Sequence, residues 1–267
     1  MDHAPSWHQV NVNFPDWDRA EQTAAARLAP RLDSEGQVTA WWFIRKNPCW
    51  RIRYQAAPDA QPRAEHHFGE LTTDGHLSGW TRVVYEPEVH AFGGPEAMDA
   101  AHHLFHHDSR AFLAYLRDQP TGRHRREISL MLCSVMLRAA RQDWFEQGDV
   151  WARVASYRKS SPGTVPELPR LLDSVRCLIT SDSESRIRDG VLLAHYAGWA
   201  AAYTAAGEEL ARLAASGLLH RGLRDVLAHQ VIFAWNRLGL PYAMQSALAD
   251  TAKIVVFGSD PAMATVR

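Results

Sequence analysis

The dominant hydrophobic period of this chain changes at Gly93-Gly94-Pro95. Before it, apolar residues recur at every second position in short runs. After it they recur at helical spacing nearly to the end. A period of two builds strands with one covered face, and a period near 3.6 builds helices with one apolar stripe. The expected fold class is therefore α+β: a small antiparallel, ferredoxin-like sheet unit at 1–93, followed by a mainly helical half at 94–267. The helical half is expected to pack on the sheet as one compact catalytic unit and to form a cleft.

The strand assignments follow from side-chain parity. In residues 7–14, Val10, Val12 and Phe14 share one face, and Gln9, Asn11 and Asn13 share the other. A helix is expected over 17–32, capped by Asp16 or Asp18 and closed by Gly36. Residues 37–46 are apolar on both faces, which suits a strand covered on both sides. Asn47-Pro48 turns the chain, and 49–55 returns with Trp50, Ile52 and Tyr54 on one face and Arg51 and Arg53 on the other. A short helix at 64–71 and a strand at 80–86 complete the order strand, helix, strand, strand, helix, strand. That topology places the first and third strands side by side, so Gln9, Asn11 and Asn13 are expected to share a face with Arg51 and Arg53. In the second half, helices are expected at 96–117 (as one helix or two), 125–147, 150–159, 167–178, 183–215, 218–238 and 242–256, with a Pro-rich connector at 160–169.

Composition limits the function classes. Of 267 residues, 46% are hydrophobic and 22% charged, and the formal net charge is -1, so no global field favours nucleic acid or an anionic membrane. Cys49, Cys133 and Cys177 are far apart and lack metal-ligand spacing, which argues against a disulfide framework or structural zinc and suits the cytoplasm. No stretch suits a membrane span. Ten tryptophans either fill a core or line a groove for a peptide or planar ligand.

Several groups carry candidate chemistry. His102/His106 and His103/His107 are spaced to share helix faces, but the general-base Glu of a zinc helix is absent, and no metal is assigned. Tyr85, Glu86 and Glu88 follow the fourth strand and can supply an acid and a base, or serve as turn residues in water. Asp108, Ser109 and Tyr115 lie in one helical segment, where Asp108 or Ser109 can equally cap a helix start. Arg51 and Arg53 suit carboxylate or peptide-carbonyl recognition, or a surface strand. Gln230, Trp235, Asn236 and Arg237 gather near a helix end, where Asn236 and Arg237 can be capping residues before Gly239. Glycine-rich phosphate loops and nucleophile elbows are absent from the sequence.

Six segments occur in order across nearly the whole chain: S-W-H-Q-V-N-V, W-W-F-I-R-K-N-P-C-W-R-I-R-Y, Y-E-P-E-V-H-A-F-G-G, F-H-H-D-S, R-R-E-I-S-L and W-N-R-L-G-L. Together they resemble the C-terminal, elimination-type domain of lantibiotic dehydratases, and a chain of this size looks like a thiopeptide pyridine synthase. That resemblance implies a cofactor-independent formal [4+2] aza-cycloaddition between two dehydroalanines of a modified ribosomal peptide. Loss of water and of the leader peptide then gives a pyridine-cored macrocycle.

It also implies roles for residues. Tyr85, Ser109, Tyr115 and Gln230 would hydrogen-bond the reacting amides, and Glu86 or Glu88 with His90 would move protons. Trp41, Trp50, Arg51, Arg53, Asp108, Trp235, Asn236 and Arg237 would hold the peptide. The implied partner is the leader-bearing precursor peptide, with a homodimer as a possible assembly. Two departures from the dehydratase pattern favour the cycloaddition branch: Ala91 stands where that pattern has Arg, and Cys49-Trp50 where it has a His before the strand arginines. The alternatives are a peptide-binding chaperone of a modifying complex and a glutamate-elimination domain.

Overall fold

A computed structural model describes residues 6–34, 38–57, 59–119, 121–159, 168–180 and 196–258. The chain forms two compact units, residues 1–87 with 102–123, and residues 88–101 with 124–267.

The first unit is built on one four-stranded sheet of β1 (Ser6–Asn13), β2 (Ala40–Lys46), β3 (Cys49–Ala56) and β4 (Gly79–Val83). The strand order is β2-β3-β1-β4, with every neighbouring pair antiparallel, as the ferredoxin-like expectation requires. Two short helices, α1 (Ala20–Thr23) and α2 (Ala29–Leu32), flank a π-helical turn at Ala24–Leu28. Helix α3 (Gln61–Thr73) joins β3 to β4.

Register assigns the two faces. Val10 pairs with Ile52, Val12 with Trp50, Phe43 with Ile52, and Trp41 with Tyr54. All of these are buried. Phe43 stacks on Trp50 at 4.5 Å, and Tyr54 meets Phe68 of α3 at 6.0 Å. At about 1.5–3 kcal/mol for each large apolar side chain removed from water, this face is the main source of the sheet's stability. At its margin, Glu65 accepts hydrogen bonds from Tyr54, Gln61 and Arg82. Burial works against the Glu65 charge, but these bonds prevail and hold its carboxyl below the usual range. The opposite face carries Gln9 across from Arg53, and Asn11 across from Arg51, as the parity argument expects.

Helix α4 (Pro95–Asp118) is continuous, and its residues divide between the units. Its later turns lie along β2, an edge strand with backbone groups to satisfy. The Phe43 amide donates to Ser109 Oγ at 3.3 Å, and His106 Nδ1 lies 3.1 Å from the Trp41 amide nitrogen. Asp108 and Ser109 are thus fully buried in mid-helix and do not cap a helix start.

The second unit is helical: α5 (Arg125–Ala139), α6 (Trp144–Tyr157), α7 (Leu168–Thr180), α8 (Ala197–Ala215), α9 (Leu223–Arg237) and α10 (Tyr242–Phe257). Helix α5 packs on α8, and α6 packs on α9 and α10. The single helix expected at 125–147 is two. Arg141 adopts a left-handed φ of 59°, and Asp143 starts α6 with a capping box, accepting from Glu146 N at 2.8 Å while the Glu146 carboxylate accepts from Asp143 N at 3.0 Å. Gly148 lies inside α6 and does not end a helix. A Cβ there would come within 2.5 Å of Val256, so glycine permits the close approach of α10.

Residues 160–167 of the connector expected at 160–169, Gly36, and residues 183–195 of the expected 183–215 helix lie outside the described residues, and α7 starts at Leu168, within that expected connector. Among the described residues, no helix is long and apolar enough to cross a membrane.

Candidate active site

The polar face of the sheet meets α4 in a box of aromatic and basic groups, all in the first unit. Strand pairing sets Arg53 of β3 between Gln9 of β1 and Trp42 of β2. Arg53 is only 6% exposed. Its Nε donates to Gln9 Oε1 at 2.7 Å, and its guanidinium carbon lies 4.3 Å from the Trp42 ring centre and 5.3 Å from that of Tyr85. A buried guanidinium between two π faces has exchanged water for cation–π contacts, each worth about 0.5–2 kcal/mol.

Tyr85 follows β4. Its hydroxyl oxygen lies 2.7 Å from His102 Nε2 on α4. Trp7 packs on the His102 ring at 4.5 Å, and Trp42 packs on Phe105 at 4.7 Å. His102 is 5% exposed. Burial, reinforced by the positive fields of His103 and Arg53, pushes its imidazole down to about 4. At neutral pH the ring is therefore uncharged and can accept from the phenol or donate to it. The Tyr85–His102 pair is a neutral two-way hydrogen-bonding device beside a fixed cation.

The sequence-derived candidates are distributed as follows. Tyr85 and Arg53 are brought together, and Arg51 shares their sheet face, opposite Asn11, with a buried Nε that has no hydrogen-bond partner among the described residues. Trp41 and Trp50 lie on the other face. Trp50 stacks in the core, and Trp41 donates from Nε1 to Asp33 at 2.8 Å, so neither sits beside Arg53. Ser109 is committed to the Phe43 amide. The buried Tyr115 donates to the Arg123 carbonyl. Glu86, Glu88 and His90 are exposed.

In the second unit Gln230 is 1% exposed, and neither polar atom of its carboxamide has a hydrogen-bond partner among the described residues. Trp235 stacks on Trp151 at 6.0 Å, Asn236 accepts from Gln245 at 3.0 Å, and Arg237 is fully buried. Gly239, at a φ of 68°, ends α9 as a glycine C-terminal stop should.

Four groups of the box were not assigned to the reaction by sequence: Trp7, Gln9, Trp42 and His102, of which Gln9 entered only as a face-mate of Arg53 and His102 only as part of the histidine cluster. A signal existed for two of them. A two-residue turn that pairs Lys46 with Cys49 necessarily pairs Trp42, not Trp41, with Arg53. His102 lies on the same α4 stripe as Phe105, Ser109 and Phe112, which marks it as buried rather than as part of a solvated histidine cluster. With His102 and His106 so engaged, no group of three or more His, Cys, Asp or Glu converges to hold a metal among the described residues.

The chain belongs to the lantibiotic biosynthesis dehydratase C-terminal family, whose model matches residues 7–255.

Among solved structures it is similar to the tRNA-dependent lantibiotic dehydratase MibB from Microbispora sp. 107891. The TM-score is 0.67 at 17% identity, over 93% of this chain but only 28% of that one. It is also similar to the pyridine synthase TbtD from thiomuracin biosynthesis, at a TM-score of 0.65 and 16% identity, over 94% of this chain and 98% of that one. TsrL matches at a TM-score of 0.59 and 14% identity, over 96% and 99% of the two chains. At these identities the likeness is one of fold. Among curated proteins nothing matches the chain.

Proposed function

We propose that this chain is a pyridine synthase. It joins two dehydroalanines of a leader-bearing modified peptide by formal [4+2] aza-cycloaddition, and water and leader peptide then depart. The observation that carries this reading is the Tyr85–His102 pair, 2.7 Å apart and uncharged at neutral pH. Converting an amide to its iminol moves a proton from nitrogen to oxygen with no net change in charge. A neutral donor–acceptor pair suits that transfer better than a charged acid or base.

Arg53, held by Gln9 between Trp42 and Tyr85, presents a fixed cation to the developing amide oxygen, and the aromatic walls hold planar azole rings. Bringing two distant alkenes into near-attack geometry is mainly an entropic problem, for which a preshaped cleft can contribute up to about 7–11 kcal/mol in ideal cases. The fold shared with TbtD over nearly all of both chains supports the reading.

The likeness to MibB favours a second reading, elimination of glutamate from glutamylated Ser or Thr. One experiment separates the two: mass spectrometry of peptide incubated with the purified protein. A dehydrated, azole-bearing peptide should yield a macrocycle and a released leader amide. Dehydroalanine formation from a glutamylated peptide, with no ring formed from the dehydrated one, would overturn the proposal in favour of elimination. An unchanged peptide that nevertheless binds would point to a chaperone.

A further inference from the structure

The second unit carries another group of polar and aromatic side chains that the cycloaddition does not use. Tyr157, the last residue of α6, is 39% exposed, and Tyr242, the first of α10, is 55% exposed. Arg158 connects them. It lies over the Tyr242 ring, 5.5 Å from its centre, donates from Nε to Gln245 Oε1 at 2.8 Å, and donates from Nη1 to the Tyr157 carbonyl at 3.3 Å. Arg221 approaches from the loop before α9. It donates from Nη2 to the Tyr157 hydroxyl at 2.9 Å and from Nη1 to the Ala91 carbonyl at 3.2 Å.

The charges here do not balance. Among the described residues, Arg153, Arg221 and Arg224 share two carboxylates, Asp149 and Asp225. Arg158 has no carboxylate within ion-pair distance among the described residues, and the exposed Lys159 follows it. His229 sits inside this group, 3.4 Å from Arg221 and edge-on to Tyr157 at 5.3 Å. Burial, then Arg221, lowers its pKa against the raising influence of Asp225, and Arg158 adds to the lowering. A positive field therefore surrounds an exposed aromatic surface on a chain whose net charge is only -1.

We propose that this surface docks an acidic peptide segment: Arg158 and Arg221 receive carboxylate side chains, and Tyr157 and Tyr242 lie against its apolar groups. The inference rests on the reading of the substrate as a peptide and is independent of ring formation. Guanidinium groups already held by hydrogen bonds lose little freedom on pairing, which suits them to this task.

The test is fluorescence anisotropy with the full chain and four labelled probes: an acidic Glu/Leu peptide, its Gln counterpart, its Lys counterpart and a single-stranded oligonucleotide. The acidic peptide should bind saturably, at least about tenfold more tightly than the Gln peptide, and weaken with salt. Arg158→Gln and Tyr242→Ala should each weaken it roughly tenfold, the loss of about one ion pair or stacked contact. Arg82→Gln, on the exposed rim of the first unit, should leave it unchanged. Arg158→Glu should shift preference toward the Lys peptide, a gain that a misfolded variant cannot produce. The His229 ring signals should titrate at higher pH with the acidic peptide bound. Equal affinity for the Gln peptide, tighter binding of the oligonucleotide, or wild-type binding by both Arg158 variants would overturn the inference. Because no turnover is read, failure of the cycloaddition proposal would leave this result standing, and retained turnover without docking would sink the docking surface alone.

Discussion

The two faces of the sheet are made by the same strands and differ in everything but backbone. On one, Val10, Trp41, Phe43, Trp50, Ile52 and Tyr54 are all but inaccessible to solvent and packed on one another. On the other, Gln9, Asn11, Arg51, Arg53 and Trp42 bring polar groups and a guanidinium into a crowded space against α4. The first face lowers the free energy of the fold. The second holds groups whose burial is tolerated only through particular partners, such as Gln9 for Arg53 and Tyr85 for His102. Adjacent residues of β3 therefore do different work: Ile52 supports the fold, and Arg53 lines the candidate site.

Mutations should separate the faces, and the largest effect belongs to the apolar one. Trp50→Ala removes a fully buried ring stacked on Phe43 and should cost about 3–5 kcal/mol, read from urea unfolding. Turnover measured on the fraction still folded should be nearly unchanged, and a turnover loss without destabilisation would break the comparison. On the polar face, Tyr85→Phe should lower product formation by about 10²-fold, or about 2.7 kcal/mol, with far less effect on unfolding.

The next effect is a pH dependence. His102 titrates near 4 when folded, against about 6.5 when unfolded. Between those values the unfolded chain binds more protons, so stability rises with pH across the window and is lost as pH falls from about 6.5 to 4. The change should be on the order of 2–3 kcal/mol. His102→Gln should flatten the unfolding midpoint across that window. His8, His106, His107 and His229, lowered chiefly by burial, leave a residual slope of the same sign. A variant with the wild-type slope would show that His102 is not the group responsible.

The smallest effect sharpens the assignment of Ser109. Its hydroxyl closes the β2 edge at the Phe43 amide, so Ser109→Ala should cost about 1 kcal/mol of stability and little turnover. A large loss of turnover at unchanged stability would return Ser109 to the chemistry.

Particular residues show how much was legible. The alternation of Val10 and Val12 with Gln9 and Asn11, and of Trp50 and Ile52 with Arg51 and Arg53, together with the order of strands and helices along the chain, was enough to predict the sheet, its strand order and the facing of Gln9 with Arg53. All three rest on local pattern and short connections. The division of 125–147 was harder to see because no Pro or Gly interrupts that stretch, and the break depends on a left-handed residue and a reciprocal cap. Trp41 and Trp42 look alike in composition, and only pairing across the Asn47-Pro48 turn tells core from site.

The amino-acid sequence by itself determined the change of period at Gly93-Gly94, the strand parity and the segments that mark the family, because each depends on neighbours close along the chain. Only the tertiary structure decided that His102, seventeen positions from Tyr85, meets its hydroxyl, and that Ser109 closes a strand edge sixty-six positions away. It also decided that Arg53 lies between two rings from other segments. The physical reason is that burial, and with it the charge state of His102, is a property of what surrounds a group in space. Those surroundings come from segments that the spacing along the chain does not relate.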